Sequence, residues 1–293
     1  MYSAGSLIKI SKTPTKLTGT HQKINRIARN CLAKHLDHQT YFPTTKEILY
    51  FEGARGPDSL KHKSPGIDEP AHFILPDQDD GKLITIIKNH QHNLRTALKN
   101  HNRERAAFEA AWLAHAVVDG LTPAHHFPYQ EAVQELMTKQ EFVKVFSQPI
   151  KGIMRGRSAL ETARNNWLYW GAQGYMNKHL AFEYGVAVVV TATPDRTLTP
   201  KLTRTDLDQP NLEKEFYQAL NKIHHLNMYG RFRQEGWTTK LALETKKILI
   251  PTIIRTVACA FASALPPKEA STLPPKEIKW KLNHPAQSPP SAF

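Results

Sequence analysis

From about residue 20 to residue 265, apolar positions recur at steps of three and four, the period of an amphipathic helix, and strand-like alternation is scarce. The first run opens at Thr20, which reads as an N-cap, and passes through His21, Ile24, Ala28, Cys31, Leu32 and His35. Residues 41–65 interrupt the pattern with Pro43, Gly53, Gly56, Pro57 and Pro65 and read as loop; residues 71–81 read as a second irregular segment. Periodicity returns at Leu83, Ile86, Ile87, His90, Leu94 and Leu98, and a further helix is expected over residues 103–120. Residues 130–154 read as helical with a break near Pro149, and residues 159–184 as one helix. That helix either continues past Val186 or yields to a strand ending at Thr193. Two more helices are expected over 206–231 and 238–265, the second kinked at Pro251. The fold predicted is all-α, a compact bundle of about seven to nine helices with long loops.

Outside this region the composition changes. Residues 1–18 are rich in Thr, Ser and Lys and are expected to be flexible, residues 19–265 form the helical domain, and residues 266–293 form a Pro-rich tail expected to be disordered. The tail carries Pro-Pro-Lys-Glu twice, at Pro266 and Pro274. No apolar run of signal-peptide length follows Met1, so a cytoplasmic location is the default expectation and secretion the alternative. No transmembrane segment is expected, because the most apolar window, 248–265, contains Pro251 and Arg255. Cys31 and Cys259 lie in apolar helical patterns and read as small core residues, with no bridge framework.

The candidate chemistry centres on the stretch from Trp112 to His126. Phe108, Ala111, Trp112, His115 and Asp119 share one helical face, and that face is apolar at its start. A His and an Asp on a buried stripe are costly unless a partner satisfies both, and a divalent metal does so through imidazole nitrogen and carboxylate oxygen. Pro123 then ends the helix and turns His125 back toward the same place. A second such pair, His179 and Glu183, lies on the stripe Ala172, Tyr175, Met176, His179, Glu183 and Val186. Taken singly, such pairs are more often surface salt bridges, and their shared position on apolar stripes is what argues for a site. The chain holds 15 His and a net charge of +13, which favours anionic partners: phosphodiesters, nucleic acid or an acidic membrane surface. His90, His126, His224 and His225 read as edge or solvent residues rather than ligands.

The order and spacing of these residues resemble the zinc-dependent phospholipase C family and its relatives, the fungal single-strand-specific zinc nucleases. The family pattern HxxxDxxxPxH is complete in His115, Asp119, Pro123 and His125. An upstream segment like HFYDPD is matched at four of six positions by His72-Phe73-Ile74-Leu75-Pro76-Asp77, with Leu75 where the family has Asp. Pro57-Asp58 matches a PD-containing loop fourteen residues ahead of His72, His179 to Glu183 matches a later HxxxE, and His21 matches an early His. The likeness covers roughly residues 20–190.

What the resemblance implies is a helical shell around a multi-zinc cleft. Asp58, His72, His115 and Asp119 would hold one zinc ion, His125, His179 and Glu183 a second, and His21 with Asp119 would contribute to a third. In the family a free N-terminal amino group, usually of Trp, completes that third site; no Trp precedes His21 here, so two or three ions are expected. The chemistry implied is phosphodiester hydrolysis by metal-activated water, with Asp58 orienting or deprotonating that water. The expected substrate is a phospholipid headgroup, with peripheral contact to an anionic membrane, and Arg55 is a candidate phosphate ligand by its fork geometry. A nuclease acting on single-stranded nucleic acid is the alternative. Trp167, Tyr169 and Trp170 near Arg155, Arg157 and Arg164 would supply its stacking surface, although large aromatics more commonly fill a core. A non-catalytic zinc-containing binding module is the third reading.

Overall fold

Every regular element is helical in the computed structural model, which describes residues 19–37, 40–52, 56–57, 73–79, 81–128 and 156–266; no strand occurs among them. The fold is all-α. The early helices are α1 (Thr20–Ala33), α2 (Thr45–Tyr50), α3 (Lys82–Lys99) and α4 (Arg103–Gly120). After them come α5 (Ala159–Trp170), α6 (Tyr175–Ala192) and the short α7 (Asp195–Leu198). The chain then forms α8 (Leu212–His224), α9 (Met228–Glu235), α10 (Thr239–Glu244) and α11 (Ile250–Ser263), so eleven α-helices occur among the described residues, more than the seven to nine expected.

The surplus has local causes. α2 falls within the stretch read as loop, and a capping box starts it: Thr44 accepts from the Glu47 backbone N–H, and the Glu47 carboxylate accepts from the Thr44 N–H. The helix expected over 159–184 is two helices, parted at Gly171–Gly174, and the second runs on to Ala192, so the strand alternative is not taken. The helix expected over 206–231 is also two, because Asn227 adopts a left-handed conformation (φ 45°) between α8 and α9. The last run changes character just ahead of Pro251. A π-helical turn, Thr245–Leu249, precedes it, and Pro251 sits in the first turn of α11, where its missing N–H costs nothing. α1 ends before His35, which lies in the following turn.

α4 is the axis. Of its residues, Ala106, Ala107, Ala110, Ala111, Leu113, Ala114, Ala116, Val117 and Val118 are fully buried, so it is covered all round rather than on one stripe. Asn102 caps its start by accepting from the Arg105 N–H. α3 lies along it, and α1, α2 and α11 complete the enclosure. α11 is the long buried helix expected from window 248–265, and Cys31 and Cys259 are both buried. No helix among the described residues is long and apolar enough to cross a membrane.

One buried cation links the helices that carry the candidate site. Lys23, two residues after His21, donates from Nζ to the carbonyl oxygens of Val190 (2.7 Å) and Thr193 (2.6 Å), capping the end of α6. Burial pushes this amine below its usual range, and Asp195, 3.6 Å away, acts in the opposite direction. Lys23→Met is expected to leave those carbonyls without a donor and to lower the melting temperature by about 5 °C, from a loss of roughly 1–3 kcal/mol. Thermal unfolding followed by circular dichroism reads this directly.

Candidate metal centre

α4 delivers His115 and Asp119 one turn apart, as the spacing predicted. Past Gly120 the chain tightens: Thr122 N–H bonds to Asp119 O, and its hydroxyl donates to Val118 O (2.8 Å). A 3-10 turn, Pro123–His126, follows, with His125 N–H bonded to Thr122 O. This turn folds His125 back beneath the helix end. α6 presents His179 and Glu183 on its buried face, together with Met176, Phe182 and Val186. His21 enters from the first turn of α1.

Two groups of ligand-type side chains result. In the first, His21, Glu52 and His115 each offer one atom, all within 4.8 Å of one another, and every one is buried. Asp119 lies between the two imidazoles, with His115 Nε2 3.1 Å from its Oδ2 and His21 Nε2 3.3 Å from its Oδ1. The His21 and His115 rings stack with centroids 4.4 Å apart. In the second group, His125, His179 and Glu183 are likewise within 4.8 Å and buried, and Glu183 Oε1 stands 3.2 Å from Nε2 of both His125 and His179. Phe73 stacks on His125 (4.6 Å), and Ile74 N–H donates to His125 O (3.1 Å), so the segment following position 72 is laid against this turn.

These donors fit divalent metal ions. Both nitrogens of His21 are buried without a hydrogen bond, although Nε2 is within ion-pair distance of Asp119. His115 faces carboxylate oxygens with both nitrogens, Glu52 at Nδ1 (3.3 Å) and Asp119 at Nε2. A neutral imidazole carries one N–H, so only one such contact can be an ordinary hydrogen bond; a cation between Nε2 and the carboxylate resolves the other. The charge states also suit metal binding. Burial works to raise the Asp119 and Glu183 carboxyls, but their surroundings outweigh it and hold both well below the usual range, so both stand as carboxylates. Burial pushes the His125 imidazole down, against the pull of Asp119 and Glu183.

No protein-family model, curated protein or solved structure matches this chain. The site therefore stands on its own geometry.

Of the residues expected at the site, His21, His115 and Asp119 come together in one group and His125, His179 and Glu183 in the other. Asp58, His72 and Arg55 lie outside the described residues, as do residues 1–18, 130–154 and 267–293. The histidines set aside stay apart from both groups: His126 Nε2 meets Gly120 O (2.9 Å), His224 pairs with Asp77, and His90 pairs with buried Glu109. The aromatic trio divides. Tyr169 is buried, Trp170 is half-buried, and Trp167 is 69% exposed, so the core reading fails for Trp167.

Glu52 escaped the sequence reading. It lies two residues past the end of the short helix α2, and its second oxygen is 3.5 Å from Asn25 Nδ2, one turn along α1 from His21. A carboxylate behind a metal-binding imidazole fixes its tautomer and raises its basicity. Glu52→Ala is expected to weaken metal binding at this group about 10- to 100-fold, and Glu52→Gln less, as judged by competition with a chromogenic zinc chelator.

Proposed function

We propose that this protein is a zinc-dependent phosphodiester hydrolase that cleaves a phospholipid headgroup in the manner of phospholipase C. The observation that carries the reading is the pair of buried imidazole–carboxylate groups, linked through the single turn from Asp119 to His125. A mixed nitrogen and oxygen donor set of this kind suits zinc. His21, His115 and Asp119 would hold one ion, with Glu52 behind the His115 imidazole, and His125, His179 and Glu183 another, with Asp58 and His72 adding to the first. Bound zinc supplies an acidified water and neutralises phosphate oxygens. Asp58 would take the proton of the attacking water at its carboxylate, and the enclosing apolar helices keep bulk solvent from the carboxylates that face the imidazoles.

Metal analysis of the purified protein, beside assays on phosphatidylcholine and on single-stranded DNA, tests this. The expected result is at least two zinc ions per chain and headgroup release from the lipid. Zinc without turnover of either substrate would leave a metal-containing binding module, and absence of zinc would overturn the reading. The nuclease alternative has one observation in its favour: exposed Trp167 lies three residues from exposed Arg164 on α5, a stacking face beside a cation. Preferential cleavage of the DNA would select it.

A further inference from the structure

Beside the second group lies a cavity of about 140 Å³, room for several water molecules, between the turn that follows His125 and the helix α9. Its walls include Pro123, His126, Phe127, His224, Asn227 and Arg233. Among the described residues that line it there is no carboxylate, and the one fixed cation among them is Arg233. His224 is already turned to Asp77 (3.4 Å), and His126 Nε2 is engaged with Gly120 O (2.9 Å).

Arg233 is exposed, but an aromatic shelf holds it. Its guanidinium lies 4.2 Å from the Phe127 ring centre and 5.9 Å from that of Tyr175. Phe127 is two residues beyond His125, and Tyr175 is one turn before His179, so the shelf is built on the segments that carry the second group. Tyr229, one turn before Arg233 on α9, packs edge-on against Phe182, the neighbour of Glu183. Among the described residues no carboxylate pairs with Arg233, so no described acidic group neutralises its guanidinium fork.

We propose that this cavity is an anion subsite in which Arg233 binds a phosphate group presented to the neighbouring imidazole–carboxylate centre. The proposal rests on the hydrolase reading for what the phosphate belongs to, but its binding test does not. Arg233 forms charge-assisted hydrogen bonds to two phosphate oxygens, and the aromatic shelf sets the plane of the fork.

The test compares zinc-loaded wild type, Arg233→Gln and Arg233→Lys. Inorganic phosphate is titrated by calorimetry, and steady-state hydrolysis of a short-chain phosphatidylcholine is measured alongside. Arg233→Gln is expected to weaken phosphate about tenfold and raise KM by a similar factor, with kcat, zinc content and melting temperature unchanged; Arg233→Lys is expected to fall between. A change confined to inorganic phosphate assigns the subsite to the free anion, and a change in both assigns it to the lipid headgroup. Unchanged phosphate affinity in Arg233→Gln overturns the proposal, as does weaker binding accompanied by loss of zinc. If the wild type hydrolyses no lipid, the catalytic reading fails, and the phosphate titration still decides the subsite.

Discussion

Replacing His115 by Ala is expected to strip metal from the first group and to lower the melting temperature by on the order of 10 °C. His115 is fully buried in the last third of the packed axis, with Glu52 on one ring nitrogen and Asp119 on the other. Removing the ring leaves two buried carboxylates without that partner. Breaking a buried ion pair from one side costs about 3–5 kcal/mol, and in a domain of this size each kcal/mol is worth about 2–4 °C. It also unties α4 from α1 and from the segment after α2, because Glu52, His21 and Asp119 meet through this ring. Two measurements separate the causes. Metal content by plasma mass spectrometry should fall by about half, and a chelator should lower the melting temperature of the wild type more than that of the variant, which keeps only the second group. Unchanged metal content with an unchanged melting curve would remove His115 from the centre.

Much of the fold was legible because it rests on long apolar periods. α3 and α11 follow the stripes of their sequences closely, α4 is apolar and buried on every side, and the His–Asp and His–Glu pairs could be placed because each sits one turn apart on a helix. The breaks were less visible. The Gly171–Gly174 interruption and Asn227 stand inside continuous helical patterns, where one left-handed residue or a pair of glycines is outweighed by the apolar residues around it.

Glu52 illustrates a different gap. Its burial follows from tertiary packing of a six-residue helix, too short to show a period. Yet the Thr44-Thr45-Lys46-Glu47 sequence is a capping box, and that signature was present to be read. Once α2 is admitted, a carboxylate at its end points at whatever α2 packs on, and α2 packs on α1 and α4. The exposure of Trp167 was not legible for the opposite reason. Aromatic content predicts burial on average, whereas exposure at one position depends on which neighbours the chain brings to it.

Glu183→Ala is expected to abolish the second group and to cost turnover of a phosphodiester on the order of a thousandfold. One oxygen of this carboxylate is shared by two imidazoles, each 3.2 Å away, so a single truncation removes the acidic member of a three-residue donor set. Two imidazoles alone retain little hold on a divalent ion, and loss of one ion forfeits the part it plays in stabilising charge on the transferring phosphate, several kcal/mol in comparable sites. Glu183→Gln keeps the shape and one acceptor but removes the negative charge. It should therefore preserve the melting temperature better than Glu183→Ala while sharing most of its loss of activity. The first group does not include Glu183, so these variants should keep about half the wild-type metal. Two other results are informative: full metal content in Glu183→Ala would place the second ion elsewhere, and loss of all metal would show that the two groups bind as one unit, coupled through the Asp119–His125 turn. Wild-type turnover in Glu183→Ala would mean that the second group serves the fold and that the chemistry, if zinc performs it, belongs to the first.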